Sequence, residues 1–157
     1  MRTKRAEAPR RSRPLIPGKR GARRRRIQRP SILSLSADSY LRALVRRAAG
    51  TAAIRFHTRA ERARRALEEA APSLVVVDDS VLAPPDRGWF LEQVRHLAPE
   101  ARVVYVASHH DEEMERNVRA HGVLHYTSPP IDEDRLERVL AALICPPARL
   151  VAAPGAS

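Results

Sequence analysis

The chain has 157 residues, enough for one domain of ordinary size with a real core. Its formal net charge of +11 is divided by position: residues 1–30 hold thirteen Lys and Arg against one acid, Glu7, a net of +12, and the remainder sums to −1. One cysteine, Cys145, excludes an internal disulfide and a cysteine-based metal cluster, and no apolar run approaches the roughly 18 residues of a membrane span.

Residues 1–30 contain Leu15, Ile16 and Ile27 as their only sizeable apolar side chains. Too little surface could be buried to offset the entropy of ordering, so a disordered basic arm is expected. No apolar segment follows the charges as a secretory signal requires, and Pro9, Pro14 and Pro17 would break the amphipathic helix of an organellar transit peptide. A soluble cytoplasmic protein is the expectation. The block Arg23, Arg24, Arg25 and Arg26 would attract phosphate backbones by counterion release, without reading base sequence. It lacks the interleaved aromatics that base stacking uses. A second reading of the arm stays open: a start of translation near Ser31 would remove it, and no Met before Met114 marks that start.

From Ser31 the pattern changes. Ser31–Ser36 alternates like a strand, and Leu41, Leu44, Val45 and Ala48 form the apolar stripe of a helix over Tyr40–Ala49, with Gly50 as its stop. Ala53–His57 reads as a short strand. Thr58 and Glu61 have the spacing of a capping box, which predicts a helix from there to about Ala71, closed by Pro72. Leu74–Val77 is a continuous apolar run, three of its four residues β-branched, that ends on Asp78 and Asp79. Such a run predicts a strand buried on both faces, with the acids at its C-terminal end, where open parallel sheets keep their functional groups. A Pro-rich loop over residues 81–86 leads to a helix near Arg87–Leu97, in which one ring of Trp89-Phe90 is expected in the core and the other in a partner-binding patch. Ala101–Ala107 is a further buried strand. Asp111 caps a helix over Glu112–Ala120 that Gly122 ends, and Val123–Tyr126 is the fifth strand. Asp132 opens a last helix with Leu136, Val139, Leu140 and Leu143 on one face, and residues 145–157 form a loose tail. Five strands separated by helices require right-handed crossovers and a parallel sheet.

This body, residues 31–144, resembles the receiver domain of response regulators, the phosphoacceptor module of two-component signalling. The resemblance rests on element order, on Pro72-Ser-Leu-Val-Val-Val-Asp78 and on Gly122-Val-Leu-His-Tyr126-Thr-Ser-Pro-Pro130, where the family has Pro-Asp-Leu-apolar-apolar-apolar-Asp and Gly-Ala-x-x-Tyr-x-x-Lys-Pro. Arg42 falls where the family's first helix often has arginine. The resemblance implies a flavodoxin-like, doubly wound (βα)5 fold of three layers, αβα, with Asp78 at the phosphoacceptor position. It also implies two acids after the first strand that hold Mg²⁺, a Thr or Ser after the fourth strand and a Lys after the fifth. Those positions are here Ser36 and Ala37, Ala107, and Pro129, with Asp38 and Ser108 each one residue late. Both lysines of the chain, Lys4 and Lys19, lie in the arm. Phosphoryl transfer depends on positioning and charge neutralisation, and Asp78 and Asp79 show no counter-charge in the sequence.

The expectation is therefore a degenerate receiver that acts by contact with a protein partner, without a cofactor. Mg²⁺ would matter only if Asp78 were phosphorylated in a working phosphorelay, which is the alternative; a nucleic-acid-associated protein using the arm is the third reading. A homodimer through the fourth helix, fifth strand and fifth helix is a further implication of the resemblance. Asp38, Asp78 and a histidine of His109-His110-Asp111 could in principle gather a zinc or manganese ion, but a histidine beside a helix cap is the commoner meaning of that motif. An enzyme is not expected, since the sequence has no Gly-rich phosphate loop and no nucleophile–base set.

Overall fold

The computed structural model describes residues 29–145. Five strands, β1 (Ser31–Leu35), β2 (Ala53–His57), β3 (Leu74–Asp78), β4 (Arg102–Val106) and β5 (His125–Thr127), alternate with five helices. These are α1 (Ser39–Ala49), α2 (Ala60–Glu69), α3 (Asp86–Leu97), α4 (Glu112–Ala120) and α5 (Glu133–Ile144). All strand pairs are parallel, in the order β2-β1-β3-β4-β5. This is the flavodoxin-like doubly wound sheet, in which the chain starts in the middle, winds to one edge and then returns to build the other.

The sheet is covered on both sides, so β3 shows no polar alternation. Val75 and Val77 pack with Leu67, Phe90, Leu91 and Val94 of α2 and α3. Leu74 and Val76 pack on the opposite face with Leu44, Val45, Leu136 and Leu140 of α1 and α5. Every residue of β3 is buried, Asp78 included. The edge strand β2 is only partly covered, as its weaker apolar pattern predicts.

Three of the five helix starts, those of α1, α4 and α5, are capped by side chains; α2 and α3 start without a side-chain cap. Asp38, Asp111 and Asp132 each accept a hydrogen bond from a first-turn amide, of Tyr40, Met114 and Arg135 respectively. Gly50 and Gly122 have φ of 56° and 79°, the left-handed region that lets a helix stop. The capping box at Thr58 does not form. Helix α2 begins at Ala60 with Arg59 as its cap and no side-chain cap bond. Glu61 thus stands one position too early to reach back, and it pairs with Arg64 instead, Nε to Oε2 at 3.4 Å. Two expected boundaries also move. Helix α2 ends at Glu69 rather than Ala71, because the Arg55 guanidinium of β2 satisfies the carbonyls of Ala66 and Ala70 at 2.9 and 2.6 Å. Strand β5 starts at His125 rather than Val123, because its ladder to β4 begins where His125 meets Val104.

Cap replacements separate the two kinds of helix start. Asp111→Ala and Asp132→Ala are each expected to lose about 1 kcal/mol of unfolding free energy in urea titrations. Thr58→Ala should stay within about 0.5 kcal/mol of the parent.

Candidate functional site

The C-terminal ends of β1, β3 and β4 meet at Asp78 and Asp79, and both carboxylates are buried. Each must find its donors inside the fold, because a buried charge without partners costs several kcal/mol. Asp78 Oδ2 accepts from the Ser36 hydroxyl at 2.6 Å, and Oδ1 accepts from the Ser80 amide at 3.0 Å. The second bond makes Asp78 the cap of a short 3₁₀ turn, Asp79–Val81. Ser36 in turn accepts from the Asp38 amide at 3.0 Å, so one hydroxyl ties the end of β1 to the end of β3.

Asp79 is fully buried and looks the other way. Its Oδ1 accepts from the Ser108 amide at 2.6 Å, and its Oδ2 accepts from the Tyr105 hydroxyl at 3.2 Å. Arg87 Nε stands 3.6 Å from Oδ2, close enough for charge attraction and too far for a hydrogen bond. The counter-charge missing from the sequence reading is therefore present for Asp79, supplied by α3. The same guanidinium donates to the Met114 sulfur at 3.0 Å and so links α3 to α4. Tyr105 stacks on Tyr126 with ring centroids 5.9 Å apart, which carries the contact on to β5. Burial first, and then the Asp79 charge, hold the Tyr105 phenol above its ordinary value.

Asp38, Asp78, Ala107 and Pro129 share one pocket of about 160 Å³, with Tyr40 at its mouth. Of the other candidates, Ser36, Ala37 and Asp79 are not among the residues that line it. Asp38 holds the α1 amide described above, and Ala37 is exposed with no polar group to offer. Ala107 is buried and continues the sheet by donating from its amide to the Thr127 carbonyl at 2.8 Å. Pro129 is exposed. A divalent cation does not fit this donor set. Ser36 and Ala37 stand in for the two acids, Ser36 donates to Asp78, and both Asp78 oxygens are engaged. Among the described residues no three His, Cys, Asp or Glu side chains could hold a metal ion together. His109 and His110 are exposed, and Asp111 is a helix cap. Phe90 is fully buried, whereas Trp89 is half-buried against the core and borders a groove with Thr58, Arg59 and Glu61. Arg23, Arg24, Arg25 and Arg26 lie outside the described residues.

Ser80, Arg87 and Tyr105 were missed in the sequence. Asp78-Asp79-Ser80 is a local turn signal that could have found Ser80. Arg87 and Tyr105 reach Asp79 only through the crossovers of the fold.

A parallel 2-1-3-4-5 sheet with buried carboxylates at its C-terminal edge defines a flavodoxin-like protein of the receiver type of fold. Solved structures agree. A response regulator from Thermotoga maritima matches with a TM-score of 0.63 and 17% identity, over 73% of this chain and 97% of that one. A CheY-like receiver domain protein from Methanospirillum hungatei matches at 0.61 and 18%, over 73% and 93%. The pilus assembly protein CpaE from Caulobacter crescentus matches at 0.60 and 24%, over 74% and 95%. No protein-family model matches the sequence, and no curated protein matches it. The likeness is one of fold. No helix among the described residues is long and apolar enough to cross a membrane.

Two measurements probe the Asp79 network. Asp79→Ala leaves the Arg87 charge, the Tyr105 hydroxyl and the Ser108 amide without their partner, and is expected to cost about 3–5 kcal/mol in urea unfolding. The Tyr105 phenol is protonated in both folded and unfolded chains below pH 10, its ordinary value. Above that pH the unfolded chain releases the proton first, so stability falls as pH rises. Tyr105→Phe should make this alkaline loss shallower without abolishing it, because burial shifts Tyr126 in the same direction; an identical slope in the variant would assign the loss to other groups.

Proposed function

We propose that this chain is a degenerate receiver-like signalling protein of the cytoplasm, acting by contact with a protein partner and independent of phosphorylation at Asp78. The engagement of both Asp78 oxygens carries this reading. Ser36 and Ser80 make that carboxylate a tie between β1, β3 and the turn that follows. A nucleophile for phosphoryl transfer would need an oxygen released from such a tie. It would also need a cation beside it, and the residues at the cation positions are Ser36, Ala37 and Pro129. Helix and loop surfaces are what remains for contact. Leu124, 57% exposed beside β5, and Tyr40, 46% exposed at the pocket mouth, are the large apolar side chains left outside the core among the described residues. A homodimer through α4, β5 and α5 belongs to this reading. The chain is then neither an enzyme nor a cofactor protein.

The alternative, a working phosphorelay receiver, draws on the shared pocket of Asp38, Asp78 and Ser108. Incubation with Mg²⁺ and acetyl phosphate, followed by intact-mass measurement, decides between them. An unmodified mass is the expected result. A covalent phosphate that disappears in Asp78→Asn would overturn the proposal and establish the alternative.

A further inference from the structure

The pocket of about 160 Å³ beside Asp78 is walled mainly by hydrocarbon. Leu41 and Leu44 of α1, Val106 of β4 and Leu136 of α5 line its interior and are buried. Its volume is close to the roughly 150 Å³ of an engineered apolar cavity that admits benzene. Asp38, Tyr40, Ser80, Ser108 and Pro129 are exposed and form the mouth. Asp78, only 5% exposed, is the one buried polar side chain of the lining.

Charge in this pocket is one-sided. Asp38 and Asp78 line it, whereas no arginine, lysine or histidine does. Neither carboxylate forms an ion pair with any described residue. The neighbouring Asp79 has Arg87, but Asp78 has only neutral donors, the Ser36 hydroxyl and the Ser80 amide. A buried carboxylate without a counter-charge favours a cation beside it. Its two hydrogen bonds use about half of the roughly four lone-pair sites of a carboxylate, so a further donor need not displace Ser36 or Ser80. Asp38 caps α1 and offsets the positive end of that helix, which would otherwise oppose a cation here.

Shape and charge together select the occupant. Two carboxylates exclude an anion. A metal ion would leave the hydrocarbon walls unused, and the described residues offer it no set of three ligands. Arginine pairs with a carboxylate as a planar fork across both oxygens, and each Asp78 oxygen already holds a donor. Lysine carries a compact ammonium on a four-carbon stem, so the stem matches the walls and the head needs one lone pair. Residues 29–145 contain no lysine, and the described fold therefore cannot supply this group itself. A free alkylamine has the same head but few atoms to bury, which limits its affinity. A lysine presented on a protein surface adds contact with Tyr40 at the mouth.

We infer that the Asp78 pocket receives a lysine side chain of a protein partner, its ammonium on Asp78 and its stem against Leu41, Leu44, Val106 and Leu136. The inference rests on the proposed role as an unphosphorylated, partner-binding protein, and it names the partner's chemistry at that site.

The test is an amide proton–nitrogen NMR titration of the full chain with acetyl-Gly-Lys-Gly-amide. Saturable shifts around the pocket, at Leu41, Ser80 and Ser108 among others, are expected, with a dissociation constant of about 1–10 mM. The same peptide with norleucine or arginine in place of lysine should bind at least about fivefold more weakly. Asp78→Asn should weaken the lysine peptide at least about tenfold. Asp38→Asn, which keeps a capping side chain for α1, should weaken it about two- to threefold. Circular dichroism melts confirm that the variants are folded; should Asp78→Asn unfold, Asp38→Asn and the norleucine peptide carry the same decision. Equal binding of the norleucine peptide would make the pocket a purely apolar receptor. Parental affinity in both Asn variants would place the ammonium elsewhere. Binding of n-butylammonium without binding of the lysine peptide would make a free amine the occupant. Tighter peptide binding in Lys4→Gln with Lys19→Gln would make the chain's own lysines the occupants. No saturable shift at about tenfold the expected dissociation constant would leave the pocket without a lysine at all. Each of these results overturns the inference. Such a failure with an unmodified mass after acetyl phosphate leaves the phosphorylation-independent reading in place, whereas a covalent phosphate on Asp78 removes both.

Discussion

Because β3 is buried on both faces, the polar groups at its end have to be satisfied from within the protein. Asp78 and Asp79 stand next to each other in the chain and point to opposite sides of the sheet, so each recruits a different set of donors. Asp78 draws in Ser36 from β1 and the amide of Ser80. Asp79 draws in Tyr105 and Ser108 from β4 and its continuation, and Arg87 from α3. Between them the two carboxylates join three strands and a helix at the edge where this kind of sheet presents its chemistry. A buried ion pair is weak support for stability in itself, because desolvation offsets much of the attraction. Its effect is directional: strands and helix must meet in one arrangement for every donor to reach.

The same constraint supports the proposal that Asp78 works without phosphorylation. A carboxylate available for phosphoryl transfer needs an accessible oxygen and positive charge gathered around it. Asp78 has a serine hydroxyl at 2.6 Å and a backbone amide at 3.0 Å, both of which satisfy the carboxylate as it stands. The nearby cation, Arg87, faces Asp79. Arginines outnumber acids two to one between residues 38 and 69, which build α1, β2 and α2.

Much of the architecture was legible along the chain. The continuous Val75-Val76-Val77 run can be buried on both faces only in a sheet covered by two helical layers. The stripe of Leu41, Leu44 and Val45 and the caps Asp111, Asp132, Gly50 and Gly122 act within a few residues of themselves, so their meaning survives without tertiary information. Thr58 and Glu61 had the correct spacing for a capping box, yet α2 starts one position later. The continuation of β2 and the packing of Ala63, Ala66 and Leu67 set where that helix begins, and local propensity gave way.

Order of elements, double-sided burial and the split between a cationic N-terminal segment and a near-neutral body were determined by the sequence itself. Each follows from periodicity, from spacing within one motif, or from counting charge. The partners of the two carboxylates were decided by the tertiary structure alone. Ser36 lies 42 residues from Asp78, and Tyr105 lies 26 residues from Asp79. Parallel pairing of β1, β3 and β4 brings those side chains together, and α3 packs Arg87 beside them. Hydrogen bonds form between neighbours in space, and parallel crossovers make neighbours of residues that no local pattern connects.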